Sequence, residues 1–493
     1  MVFIDGTVVN VALPALQQQF KADASEVQWV VESYALFLAA LLLVGGTAGD
    51  RFGRRRVFVV GVALFAAASL WCGLCASIGQ LILARAVQGV GGALLVPGSL
   101  ALISASFPEN ERGRAIGTWS GYTAITGAVG PVLGGYLIEH FSWRLAFLIN
   151  LPLALVIVLL AWRYVPESRD RFASARLDWA GAALASLGLG GLTYGLIESS
   201  HRGWHDPAVI GALLAAPLLL ALFVAVERRH TAPMLPLTLF HSRDFSGANL
   251  LTLMLYAGLG GGLYFLPLNL IQVQGYSAVA AGAALLPFVI LMFVLSRWSG
   301  GLVERHGATM PLVLGPSIAA LGFAALALPG VGGGYWTGYF PAVLILGLGM
   351  SIAVAPLTTT VMNAAGEGMA GAASGVNNAV ARAAALLAIA AFGIVMSLAF
   401  DAALARALHA LNPDPALARQ VLDQRARLAA IALPPSAGAQ QRLALQAAIQ
   451  AAYVYGFRWV MCLSALLALG GALCAWRLIG RRAGADARQA RVR

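Results

Sequence analysis

The sequence predicts an all-α polytopic membrane protein of about fourteen helices, and three observations predict it. First, 59% of its 493 residues are hydrophobic and only 11% are charged. A water-soluble domain carries roughly 25% charged and 45–50% apolar residues, so this chain lacks the polar surface to sit in water. Second, apolar runs of about 20 residues recur almost end to end, the length a helix needs to cross the hydrocarbon. Third, these runs are apolar all round. A barrel would show segments of about 10 residues alternating apolar and polar. Helices and closed barrels are the only folds that satisfy every backbone group in lipid, so helices are expected.

The spans follow in order, punctuated by arginine. Span 1–19 comes first, then 28–48, closed by Arg51, Arg54, Arg55 and Arg56. Spans 57–77 and 80–106 end at Arg112 and Arg114; 114–138 and 145–164 end at Arg169, Arg171 and Arg176. Spans 178–198 and 207–226 end at Arg228 and Arg229. Six more follow at 246–273, 277–299, 310–329, 336–358, 370–399 and 453–478, before a tail with Arg481, Arg482, Arg488, Arg491 and Arg493. The clusters fall in alternate loops, which is the positive-inside pattern and puts both termini in the cytoplasm. The net charge of +11 therefore reports topology in a lipid bilayer, and no nucleic-acid partner is predicted.

Two segments stand apart. The first apolar run, Val2 to about Leu16, is short for a span and lacks the charged flank and cleavage site of a signal peptide. It reads as a first helix missing one or two turns at its start. The segment 400–452 is the long exception among short connections, rich in Ala, Leu, Gln and Arg, with Pro434-Pro435. It is expected to be an outer loop with room for an amphipathic helix.

An internal repeat organises the chain. Gly46-Thr-Ala-Gly-Asp50-Arg51-Phe-Gly53 returns about 254 residues later as Gly300-Gly-Leu-Val-Glu304-Arg305-His-Gly307. Gly117-Thr-Trp-Ser120-Gly121 returns at the same offset as Gly371-Ala-Ala-Ser374-Gly375. Two matches at one offset indicate a duplicated unit. Six helices need roughly 190–200 residues, so about 60 residues separate the halves, enough for two more helices. The expected plan is a six-helix bundle over 1–170, a two-helix insert over 171–230 and a second six-helix bundle over 231–493. Parallel repeats of this kind are a transporter architecture, with the substrate site between the halves.

Gly46, Asp50, Arg51, Gly53, Arg54 and Arg55 resemble the loop signature of the major facilitator superfamily, Gly-x-x-x-Asp-Arg-x-Gly-Arg-Arg. The glycines allow a tight turn, and Asp50 can pair with cations or a facing helix N-terminus. Loss of such contacts would free one half to rock against the other. The second copy has Ala308 and Thr309 in place of the arginines, so the gating role is expected in the first. Arg85-Ala-Val-Gln88-Gly89 is similar to the superfamily's Arg-x-x-Gln-Gly motif. An arginine inside a span costs about 2.5–3.5 kcal/mol on insertion scales, so Arg85 is either functional or snorkelling to the nearby helix end. By the resemblance, it would help control protonation of a carboxylate on a neighbouring helix.

Gly127, Gly130, Pro131, Gly134 and Gly135 resemble the antiporter signature Gly-x-x-x-Gly-Pro-x-x-Gly-Gly, with Thr126 where the first glycine is usual. Small residues permit close helix packing and Pro131 bends the helix; the resemblance implies an exporter. Ile4-Asp5-Gly-Thr7-Val-Val-Asn10-Val-Ala-Leu-Pro14 is similar to the first-helix motif of the fourteen-helix drug:proton antiporters, with Ile for the leading Leu. Ser142-Trp143-Arg144, then Asn150 and Pro152, match that family's entry to the sixth helix. The resemblance spans the chain and implies the major facilitator fold, a small-molecule substrate that is lipophilic and often cationic, and proton exchange in an inner plasma membrane. It implies no enzyme and no cofactor.

Proton coupling needs carboxyls. One held in low dielectric favours its neutral form, so it can load and release a proton as access alternates. Asp5 and Glu32 are the candidates. Glu32 is either such a group or a snorkelling interfacial acid, and Asp5 lies near the surface if Met1 starts the chain. Glu198 reads as interfacial. Tyr34, Asn269, Gln272, Asn377, Asn378 and Arg382 are polar or aromatic groups expected at the central cavity, each equally able to be interhelical glue.

Other motifs are weak. Gly89-Val-Gly91-Gly92 lacks the Gly-Lys-Ser/Thr ending of a phosphate loop. Cys72-Gly-Leu-Cys75 lies within an apolar helix, and His201 with His205 lacks a third ligand, so no metal site is predicted. No motif specifies a periplasmic adaptor.

Overall fold

The computed structural model describes residues 1–106, 122, 126, 129–169, 178–230, 233, 235–365, 370–434 and 438–480. Those residues form helices and turns, with no strand among them. Twelve of the helices are long and apolar enough to cross a bilayer. With α1 (Val2–Phe20) and α5, whose described residues are 129–140, they supply the fourteen expected. Asp5, Asn10 and Gln17 to Gln19 make α1 more polar than the twelve.

The first half builds α2 (Ala24–Phe52), α3 (Arg54–Leu74), α4 (Ile78–Ser106) and α6 (Leu145–Tyr164) around α1 and α5. A capping box starts α2 only four residues after α1 ends. Asp23 Oδ1 accepts from the Glu26 amide at 2.8 Å, and Glu26 Oε2 accepts from the Asp23 amide at 3.0 Å, a cap worth about 1 kcal/mol. Glycine lets the helices approach. A Cβ on Gly91 of α4 would lie 2.6 Å from the Phe65 amide nitrogen of α3, so the backbones touch there.

Two helices follow where the insert is expected, α7 (Trp179–Arg202) and α8 (Pro207–Arg229), each started by an aspartate cap, Asp178 and Asp206. The pair pack on one another, and α7 rests against α2. Leu214, Leu218 and Leu222 of α8, spaced one turn apart, stay exposed; lipid is the solvent that accepts such a stripe.

The second half contains α9 (Arg243–Leu268), α10 (Leu286–Gly300, entered through a short helix Ala278–Ala283), α11 (Thr309–Leu326) and α12 (Phe340–Ala364). It ends with α13 (Ala370–Leu411) and α14 (Ala439–Leu478). The halves meet where α13 packs on α2 and α1 on α9, and α13 also packs on α7.

The expected outer loop at 400–452 is mostly helix. α13 continues to Leu411 rather than ending near 399, and α14 begins at Ala439 rather than 453. Ala, Leu, Gln and Arg are strong helix formers, so the helices run on past the apolar stretch. At 1.5 Å per residue, α13 is about 63 Å long, twice the hydrocarbon thickness. Between them lie an amphipathic helix, Pro415–Asp423, which buries Leu417 and Val421, and a 3₁₀ segment, Arg425–Ala430.

Candidate functional site

Five helices converge on Asp5. Its carboxylate and the Arg85 side chain are 0% and 1% exposed, and the guanidinium meets Asp5 Oδ2 at 2.5 Å. Gln88 Nε2 and Asn150 Nδ2 both donate to Asp5 Oδ1, at 2.9 and 3.0 Å. Gln88 Oε1 accepts from Arg85 at 2.6 Å, and Gln88 Nε2 also reaches Ser69 Oγ at 2.7 Å. The Arg85 Nε donates to the Val30 carbonyl at 3.0 Å, and the guanidinium stands 4.1 Å from the centre of the Tyr34 ring. Arg85 thus turns into the bundle rather than snorkelling. Buried ions hold their charge only when paired and hydrogen-bonded in this way. Ser69 and Asn150 were not assigned roles by sequence reasoning, because a hydrogen-bond partner on another helix leaves no local pattern.

Glu32 is the opposite case. It is 0% exposed, and neither carboxyl oxygen has a hydrogen-bond partner among the described residues. Glu32 lies one turn along α2 from Gln28, whose amide reaches the Ile389 carbonyl of α13, so Glu32 sits where the halves meet. Burial also excludes the snorkelling reading. No described donor or cation holds a negative charge on Glu32, whereas Asp5 has three donors.

The arginine-rich turn is built on Gly53, whose φ of 109° is in the region that favours glycine. The Arg54 amide donates to the Ser168 carbonyl at 2.9 Å and the Arg55 amide to Glu167 Oε1 at 3.1 Å. The Arg55 guanidinium reaches the Val165 carbonyl at 3.0 Å, and Arg56 Nε lies 3.7 Å from Glu167. The end of α6 thereby clasps the α2–α3 turn, a partner sequence reasoning missed. Gly46 lies against Pro97, and Arg51 is exposed beside the Phe52 ring at 5.0 Å. The Asp50 side chain lies outside the described residues. In the second copy Gly307 repeats the positive φ, at 75°. A Cβ at Gly53 would also sit 2.7 Å from Glu167 Oε1. Gly53→Ala is expected to lower stability by about 1–3 kcal/mol, read as an earlier thermal unfolding transition in detergent; an unchanged transition would show that the turn relaxes freely.

The glycines of α5 seat it between the halves. Gly130 faces Thr7 and Gly134 faces Val8, both on α1. Gly135 faces the Ala278 carbonyl, and Gly282 in turn faces the Pro131 carbonyl. Gly127 lies outside the described residues.

At the end opposite the arginine turn, polar contacts cross between the halves. Gln272 Nε2 donates to Gln17 Oε1 at 2.8 Å, and Gln28 Nε2 to the Ile389 carbonyl at 3.4 Å. The 3₁₀ segment adds a strap: Gln17 Nε2 donates to the Arg427 carbonyl and Arg427 to the Lys21 carbonyl, at 3.2 and 3.1 Å. Gln272 thus makes one of these crossing contacts. Asn269, bonded by Gln274 and Tyr339, and Asn377, which donates to Asn249 and Thr252, are glue within the second half. Asn378 is exposed and Arg382 half-buried. Glu198 is buried and accepts from Trp29 Nε1 and Arg202, both at 3.0 Å.

Comparison with known proteins agrees with this architecture. A family profile described as the Major Facilitator Superfamily matches residues 1–389. The multidrug resistance protein Stp of Mycobacterium tuberculosis is 36% identical over 426 residues, covering 84% of this chain and 77% of its own. The tetracenomycin C resistance and export protein of Streptomyces glaucescens is 35% identical, covering 80% and 74%. Among solved structures, a bacterial homologue of the human lysosomal transporter Spinster, inward-facing and unoccupied, superposes with a TM-score of 0.66. It is 18% identical and the match covers 96% of this chain and 93% of that one, a likeness of fold.

Proposed function

The chain belongs to the major facilitator superfamily, and we propose that it is a secondary active exporter of lipophilic small molecules, driven by protons through alternating access. The contrast between two buried acids carries the reading. Asp5, locked by Arg85, Gln88 and Asn150, is a fixed charge that ties α1 to α4 and α6. Glu32, bare at the junction of the halves, is the group that takes and gives the proton. A lone buried carboxylate is so costly that it either binds a proton or draws the protein toward a state that hydrates it.

In this reading both termini and the arginine turns face the cytoplasm of an inner plasma membrane. The seal made by Gln17, Gln28, Gln272 and Arg427 then closes the outer side, and the cavity opens inward. The bundles over 1–170 and 231–493 rock about the contacts of α5 with the short helix Ala278–Ala283 and of α1 with α9, with 171–230 riding on α2 and α13. A membrane potential supplies about 2.3 kcal/mol per charge per 100 mV. The names of the two relatives, a multidrug resistance protein and an antibiotic exporter, support drugs as the cargo. Cells lacking their own exporters are expected to extrude a lipophilic dye when they make this protein, and to stop when a protonophore is added. Efflux that ignores the protonophore would refute proton coupling.

A further inference from the structure

Arginines from three separate chain segments line one groove beside the α2–α3 turn. Arg51 comes from the end of α2, Arg56 from the first turn of α3 and Arg169 from the chain past α6. The groove has a volume of about 490 Å³, and Val57 and Val60 of α3 with Leu94 of α4 give it an apolar wall. Val60 is 58% exposed within a helix of membrane-spanning length, so this wall faces lipid. The bias of arginine toward one side of a membrane explains cations in a loop. It does not explain their convergence on one apolar groove. Glu167 Oε2 lies 3.9 Å from Arg55 Nε and 3.7 Å from Arg56 Nε, so one carboxylate serves two guanidiniums. Arg51 and Arg169 make no ion pair among the described residues. The groove also opens at the start of α3, whose dipole adds positive potential there.

We propose that this groove binds an anionic phospholipid of the surrounding bilayer. Its phosphate sits among Arg51, Arg56 and Arg169, and an acyl chain runs along Val57, Val60 and Leu94. The occupant needs a negative head and an apolar tail at the level where the span meets water, and phospholipid has both. A soluble phosphate compound would leave the apolar wall uncovered, and a zwitterionic lipid would bring no net charge to the arginines. The guanidinium fork matches phosphate oxygens in pairs, which ammonium groups cannot do. A lipid held here ties the end of α2, the start of α3 and the chain past α6 to one headgroup, beside the Glu167 clasp. The site depends on neither the cargo nor the proton route, so it stands or falls apart from the export reading.

The test measures lipid binding to the whole chain, purified in detergent and stripped of lipid, by native mass spectrometry. The probes are dioleoyl phosphatidylglycerol and dioleoyl phosphatidylcholine, which share chains and differ in headgroup charge. Wild type is expected to hold phosphatidylglycerol about tenfold more tightly or better. Arg51→Gln and Arg169→Gln should each weaken it about fivefold. Both positions are exposed, so the core stays intact in these variants. Arg169→Lys, which keeps the charge, should lose clearly less. Arg228→Gln removes an arginine at the same end of the bundle but outside the groove, and should leave binding as it is. Equal retention of the two lipids by wild type would overturn the site. A loss in Arg228→Gln equal to that in Arg169→Gln would overturn it too, by showing a diffuse attraction to basic loops. Full displacement of phosphatidylglycerol by soluble glycerophosphate would assign the groove to a free phosphate compound instead.

Discussion

Arg85→Gln is expected to strip the bundle of about 3–5 kcal/mol, because it leaves the Asp5 carboxylate buried without its cation. That is a large part of the margin of an ordinary fold, so the variant should reach the membrane in reduced amount and unfold at lower temperature. The double variant Asp5→Asn with Arg85→Gln removes both charges and keeps amides that hydrogen-bond with Gln88 and Asn150. It should recover most of the lost stability, giving a strongly non-additive cycle. Proton-driven export should not recover with it, because the fixed charge that sets the potential around α1 is gone. Equal stability of Arg85→Gln and wild type would show that the pair does not hold these helices together.

Glu32→Gln should behave in the reverse manner. Glu32 makes no hydrogen bond among the described residues, so its loss as an acid should change stability by less than about 1 kcal/mol. Transport should change qualitatively. The variant is fixed in the neutral form, so export against a gradient should fall to background. Exchange of labelled for unlabelled substrate, which needs no net proton movement, should persist near the wild-type rate. A variant that loses exchange as well would place Glu32 in substrate binding or in the movement itself.

The fold was legible because the bilayer imposes it. Apolar runs of span length have one available structure, and the arginine clusters order them. The boundaries at 399 and 453 were missed because hydropathy marks where lipid ends, not where a helix ends. The Ala-, Leu- and Gln-rich stretch that follows Phe400 keeps its helix without needing a membrane. The site was half legible. Asp5, Glu32 and Arg85 stood out as ionisable groups in apolar runs, where charge is costly. Their roles did not, because Asp5 and Glu32 have the same chemistry in sequence. What separates them is tertiary: Asn150 and Ser69 arrive from other helices at Asp5 and Gln88, and nothing described arrives at Glu32. The same limit hid Glu167, which reads locally as one acid in a polar loop, and hid the bond from Gln272 to Gln17 across the halves.

The central claim is that Glu32 carries the exchanged proton, and proton movement itself tests it most directly. In proteoliposomes containing a pH-sensitive dye, an imposed substrate gradient should drive protons in the opposite direction through the wild type. Through Glu32→Gln, the same gradient should drive none, while labelled substrate still exchanges. Proton flux of wild-type size through Glu32→Gln would contradict the account and move the coupling to another acid.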